Sequence, residues 1–239
     1  MRARHALACL AVLALSACAT FPSARRAFRD CPSCPEMIVV PPGRVGVGDD
    51  RVRTLSKPIA VGRIDVTREQ FEAFLKSTDY GVGVNCRTFE GGVWADRSVR
   101  NPLNPGFAQS PSDPAVCVTW LDARSYTAWL NGLLGLKGYR LATTAELDYF
   151  AAAGIGPPPP RSPKSAAASP IDRPHDILSE WSGDCTRFSS HPVGACLARA
   201  RVARGADGRN LPGDEAPPLT RDAATGFRVV KDLVAEGRS

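Results

Sequence analysis

The residues of this chain best suited to chemistry are its 8 cysteines and 3 histidines. Cys31-Pro32-Ser33-Cys34 has the C-x-x-C spacing of a redox pair or of half a zinc site. No second C-x-x-C follows, and no strand-then-helix pattern surrounds this one, so its best reading is a structural clasp on a loop. His175 and His191, with Asp176 or Asp184 nearby, have the donor types of a two-histidine, one-carboxylate iron site. Both lie in loop-like sequence, where an isolated imidazole is more often a bystander. Asp122, Glu146 and Asp148 offer carboxylates for acid–base work, but helix-cap and surface positions explain all three without catalysis. The chain has no G-x-S-x-G, no H-E-x-x-H and no phosphate-cradling glycine loop.

Two amphipathic helices organise the stretch from Cys117 to Gly154. In the first, Thr119 caps, Asp122 sits in the opening turn, and Ala123, Tyr126, Trp129 and Leu130 recur at helical spacing. Gly132 and Gly135 end it. In the second, Thr143 and Glu146 have capping-box spacing, Leu147, Phe150 and Ala151 form the buried side, and Gly154 closes it. Upstream, Met37 to Pro41 reads as a strand, Gly43 as a turn and Val45 to Gly48 as the partner strand. Ile59 to Thr67 alternates and then caps a helix through Thr67 and Gln70, with Phe71, Phe74 and Leu75 on its apolar face. Cys86 to Pro114 reads as irregular, with Trp94 and Phe107 as core plugs under a long loop. Gly156 to Pro174 is a proline- and alanine-rich low-complexity surface loop.

With 239 residues and 44% apolar content, the chain can bury one large core. Arg2 and Arg4 precede an apolar run from Ala6 to Leu15 that is too short to span a bilayer. Leu15-Ser16-Ala17-Cys18 resembles a bacterial lipobox, in which small residues precede a cysteine that is lipidated and becomes the new N-terminus. This predicts a signal peptide at 1–17, lipidation at Cys18 and a tether through residue 36. Two acyl chains would anchor the protein without a spanning helix. Ala19 is not the aspartate linked to inner-membrane retention, so the outer membrane, facing the periplasm, is the expected place. Losing Arg2 and Arg4 with the leader leaves 28 basic against 24 acidic residues, a mild excess that argues against a nucleic-acid partner. Export implies an oxidising compartment, and Cys31, Cys34, Cys86, Cys117, Cys185 and Cys196 are an even set of disulfide candidates.

The residues also carry a resemblance. CVTWLDARSYTAWLN followed by YRLATTAELDYFAAAG resembles the paired signature of the formylglycine-generating-enzyme family, the sulfatase-modifying-factor domain. Ala142 stands where that pattern has proline, Leu147 where it has tryptophan and Phe150 where it has alanine. GRIDVTREQFEAFL resembles the family's opening helix. Arg201-Val202-Ala203-Arg204-Gly205, Arg221 and Gly226-Phe227-Arg228-Val229-Val230 resemble its closing motifs. The family's second glycine, serine and tryptophan are replaced by Ala206, Asp207 and Gly208.

The resemblance implies an α+β, formylglycine-generating-enzyme-like fold, a complex C-type-lectin-like variant, loop-rich and stapled by disulfides over residues 37–233, with 155–175 as the low-complexity loop. Six cysteines allow 15 connectivities. Nearest-neighbour pairing is the expectation, and Cys86–Cys117 and Cys185–Cys196 resemble pairs in secreted relatives. The family's copper is held by two cysteines near the tail, and this chain has no cysteine after Cys196. Glu180 and Trp181 survive from a calcium-loop motif, but its asparagine is Ile177, and one carboxylate cannot supply the six to eight oxygens calcium needs. Neither copper nor calcium is therefore expected as a cofactor. The function expected is a non-catalytic binding or scaffold module for a protein, peptide or glycan, or a subunit of an envelope machine. The alternative is an oxidoreductase of the formylglycine-generating class, acting on a protein cysteine or a small molecule.

Overall fold

The structure is a computed structural model that describes residues 26–47, 51–135, 137–155, 179–185, 200–203 and 215–233. Strands β1 (Ala27–Phe28), β2 (Met37–Val40), β3 (Gly43–Gly46), β4 (Val52–Leu55) and β5 (Ile59–Gly62) precede helix α1 (Arg68–Thr78). Strands β6 (Cys86–Glu90) and β7 (Val93–Arg97) follow, then α2 (Trp120–Leu134), β8 (Tyr139–Leu141) and α3 (Thr144–Ala152). The remaining strands are β9 (Ser179–Cys185), β10 (Ala200–Ala203), β11 (Glu215–Ala216), β12 (Thr225–Gly226) and β13 (Val229–Asp232).

The central sheet runs β1-β2-β5-β13-β8, with every neighbouring pair antiparallel. Helices cover both of its faces. Ala60 and Val229 point into one apolar cluster with Phe71, Phe74, Ala123 and Tyr126 of α1 and α2. Their chain neighbours Ile59, Val61 and Val230 point the other way, against Leu147 and Phe150 of α3. With both faces covered, β5 is buried at every residue, and the alternation expected from Ile59 is replaced by a continuous apolar run. The second sheet, β11-β10-β9-β12, lies beside it, and two hairpins, β3–β4 and β6–β7, complete the fold.

Local chemistry sets the helix ends. Thr67 with Gln70, Thr119 with Asp122 and Thr143 with Glu146 each form a reciprocal capping box. Gly135, at φ 61°, closes α2 in the left-handed region. After α3, Gly154 at φ 64° turns the chain. Its N–H donates to Ala151 O, and the next N–H, of Ile155, donates to Phe150 O. That is a Schellman cap, and the buried Ile155 packs in the same cluster as Phe150.

Several expectations change. The domain begins before residue 37, because Ala27 and Phe28 already pair with Ile38 and Met37. Val45 pairs with Arg53 and not with the strand at Met37, and Gly43 lies in a strand and not a turn. Arg53 and Val45 have less apolar context than Met37–Val40, so periodicity alone misassigned the partner. Cys86 to Arg97 is a regular hairpin, its two-residue loop made by Gly91 and Gly92 at φ 64° and 83°. Ala151 is exposed, and Asp148 is buried where a surface position was expected.

Two expected disulfides are present, Cys31–Cys34 and Cys86–Cys117, with Cα atoms 5.0 and 5.6 Å apart. Trp94 and Phe107 pack against the second bond, as core plugs should. Cys196, the expected partner of Cys185, lies outside the described residues, as do Cys18, the leader, His175, His191 and most of the low-complexity loop.

Candidate functional site

Helix α2 presents two faces. Ala123, Tyr126 and Leu130 are fully buried in the core. On the flank, Arg124, Thr127, Ala128 and Asn131 recur at helical spacing and form one wall of a cleft of about 510 Å³. The opposite wall is β8, the edge strand of the central sheet, continued by Thr143 and by Gly183 of β9. A Cβ at Gly183 would stand 3.2 Å from Leu141 O, so glycine lets β9 come in close there.

Most polar groups of the cleft are already spent. Trp120 Nε1 donates to Ser182 O at 2.7 Å. The Asn131 amide donates to Tyr139 O at 2.8 Å and accepts from Tyr139 N–H at 2.9 Å, covering the open edge of β8 as a neighbouring strand would. Arg140 forks onto Glu146 at 2.8 Å and onto Asp232 at 2.8 Å, so two carboxylates face one guanidinium. Thr127 Oγ1 donates to Arg124 O, and Thr143 Oγ1 accepts from Glu146 N–H. Arg124 differs: it is exposed, and its guanidinium carbon lies 4.8 Å from the centre of the Trp120 ring. No carboxylate among the described residues pairs with it. A smaller cavity of about 330 Å³ is bordered by Arg29, Glu36 and Arg63, whose charges offset one another.

Two buried ionic clusters hold the walls. Asp122 accepts from Thr119 N–H, from the Tyr80 hydroxyl at 3.0 Å and from Arg221, which also donates to Cys117 O at 3.0 Å. One carboxylate thereby ties the start of α2 to the segment after α1 and to the closing stretch of the chain. The second cluster joins three elements. Arg228 forks onto Glu180 at 2.8 and 2.7 Å and donates to Ile155 O at 3.3 Å. Asp65 lies beside them, 3.7 Å from Arg228 Nε, too far for a hydrogen bond. Its Oδ1 is buried without a hydrogen-bond partner. Burial first, and the negative charge of Glu180 second, push the Asp65 carboxyl up to about 8, with Arg228 opposing them. Burial thus favours the protonated, neutral form of Asp65 beside the Glu180–Arg228 pair.

The carboxylates considered for acid–base chemistry are all occupied structurally. Asp122 is the hub just described, and Glu146 caps α3 and binds Arg140. Asp148 accepts both Nε and Nη2 of Arg53, at 3.1 and 2.9 Å. Asp184 accepts from the Thr144 N–H at the start of α3. The described cysteines at 31, 34, 86 and 117 are consumed in disulfides and offer no thiolate for copper. Both oxygens of Glu180 are taken by Arg228, so that carboxylate is not available to calcium. No group of three or more His, Cys, Asp or Glu suited to a metal occurs among the described residues. Sequence reasoning missed Arg124 and the partnership of Asp65, Glu180 and Arg228. Arg124 was visible as a cation on the polar flank of a helix; nothing local links residues 65, 180 and 228.

Comparisons with known proteins agree with this architecture. The family described as sulfatase-modifying factor enzyme 1-like domain matches residues 23–173. The structure of PvdO from Pseudomonas aeruginosa is 26% identical, covers 89% of this chain and 100% of its own, and superposes with a TM-score of 0.62. Treponema denticola variable protein 1 is 15% identical over 89% of this chain and 100% of its own, at a TM-score of 0.55. The crystal structure of CarF is 16% identical over 84% of this chain and 100% of its own, at 0.54. At those lower identities the likeness shows the fold alone. No curated protein matches the chain.

Proposed function

The chain belongs to the sulfatase-modifying factor enzyme 1-like domain family, and from that premise we propose that it is a lipid-anchored envelope protein whose domain binds a partner without transforming it. The observation that carries this is the fate of sulfur. Oxygen-dependent oxidation of a cysteine by copper needs thiolate ligands. No cysteine follows Cys196, and Cys31, Cys34, Cys86 and Cys117 are in disulfides. A fold that keeps its scaffold without such donors is suited to holding.

In this reading Cys18 carries the lipid, and the domain faces the periplasm from the outer membrane. Copper and calcium are not resident cofactors. The partner is a protein, peptide or glycan, and the cleft beside α2 is the candidate contact site. The mild basic excess does not favour nucleic acid. The competing oxidoreductase reading requires a redox metal and turnover. Full-length protein extracted from membranes in detergent is assayed for bound copper and iron and incubated with a sulfatase peptide containing C-x-P-x-R. The expected result is substoichiometric metal and an unchanged peptide mass. Stoichiometric copper or iron, or a mass loss matching formylglycine, overturns the proposal.

A further inference from the structure

We infer that the cleft between α2 and β8 binds a carboxylate attached to an apolar body, with Arg124 as its receptor; this deepens the reading of the domain as a binding module and rests on it. The volume, about 510 Å³, falls in the range of small-ligand pockets. What it would bind follows from which groups remain available. Trp120, Thr127, Asn131, Arg140 and Thr143 already have partners inside the protein, so a ligand gains little by competing for them. A sugar, with hydroxyls all round, finds few open partners here, which disfavours the glycan among the proposed ligands. The Arg124 guanidinium has no hydrogen-bond partner among the described residues and rests on the Trp120 ring. That stacking holds the guanidinium plane before a ligand arrives and reduces the ordering cost of binding.

A guanidinium fork matches a carboxylate in two parallel hydrogen bonds. A phosphate monoester carries about −1.5 to −2 at neutral pH and asks for a second cation. The other guanidinium of the cleft, Arg140, is already held by two carboxylates, Glu146 and Asp232, which more than offset its charge. One open positive charge therefore selects a single negative one. Exposed Ala128, with the edge of the nearly buried Leu141, lines the cleft and gives the body of the ligand a small apolar contact. The carboxylate has two possible sources, a free organic acid or the C-terminus of a peptide.

The test uses the ¹⁵N-labelled full chain in detergent and follows the indole N–H resonance of Trp120. Probes are phenylacetate, phenylacetamide, phenyl phosphate and a tetrapeptide ending in phenylalanine, as free acid and as C-terminal amide. Saturable shifts are expected for phenylacetate, at least tenfold weaker for phenylacetamide and weaker for phenyl phosphate. Arg124→Gln erases the acid–amide difference, and Arg124→Lys keeps part of it. The free-acid peptide binding more tightly than phenylacetate identifies a chain end as the source; the reverse identifies a small acid. Absence of any shift at Trp120, equal binding of acid and amide, or an unchanged acid preference in Arg124→Gln overturns the inference. Peptide oxidation or stoichiometric metal would instead defeat the non-catalytic reading while leaving a positive titration intact.

Discussion

Replacing Asp65 with Asn should make the domain markedly less sensitive to alkali. Asp65 is 7% exposed, and its carboxyl is raised from 3.8 to about 8. The unfolded chain releases that proton near pH 4, and the folded protein keeps it until near pH 8. Between those values the native state binds more protons than the unfolded state, so stability falls as pH rises, by at most about 1.4 kcal/mol per unit. The contribution is complete below about pH 4 and lost on passing through about pH 8. Asparagine is close in shape to the neutral acid and does not titrate. The variant should therefore match the wild type at about pH 4 and below and pull ahead steadily to pH 8. The gap there should be on the order of 2–5 kcal/mol, the upper end being the full linkage without relaxation or water entry. At about 2–4 °C per kcal/mol for a chain of this size, thermal midpoints should separate by roughly 5–15 °C at pH 8. Calorimetry on both proteins at pH 5, 6, 7 and 8, with disulfides intact, reads this directly. Parallel pH profiles would mean that Asp65 is ionised in the folded state and that the cluster around Arg228 is wrongly described.

Three further outcomes follow. Replacing Cys86 and Cys117 together by alanine should cost about 4 kcal/mol, since the bond closes a 31-residue separation; denaturant unfolding of the oxidised wild type and the variant measures it. Gly154→Ala places a Cβ at φ 64° in the cap of α3 and should cost about 1 kcal/mol by the same assay; a neutral result removes the Schellman cap from the account of that helix. Cys18→Ala should move the protein from the membrane pellet to the soluble fraction, and retention in the pellet defeats the lipid anchor.

Elements governed by local rules were legible in the sequence. The three helix starts among the described residues are marked by a threonine with its capping partner three residues on, and α2 ends at Gly135, while Gly132, read as part of that end, lies inside the helix. The family was legible from the motif pair around Trp120 and Leu147. What escaped depends on distant parts of the chain. The partner of β2 is β5, chosen by burial of Met37 against Gly62 and Val40 against Ile59, whereas the nearer stretch from Val45 folds back on Arg53. The hairpin at Gly91-Gly92 was read as loop because its strands carry few apolar residues, although two consecutive glycines are what such a turn requires. The buried state of Asp148 depends on Arg53, ninety-five residues away. Within the candidate site, residue types were readable, but which of them were already spent was not: Arg124 and Arg140 look alike until Glu146 and Asp232 are seen around one of them.

The position of β13 has a consequence for how the chain is made. This last strand lies inside the central sheet, between β5 and β8, with Val230 paired to Val61 on one side and Arg140 on the other. Lys231 beside it also holds Asp30, 201 residues earlier in the sequence, at 2.7 Å. Until β13 itself has been synthesised, β5 and β8 have no strand to bridge them. Contacts between such remote positions form slowly because their loop must close first. If the chain is exported, as the proposed Cys18 anchor requires, that delay keeps it threadable for as long as its closing strand is missing.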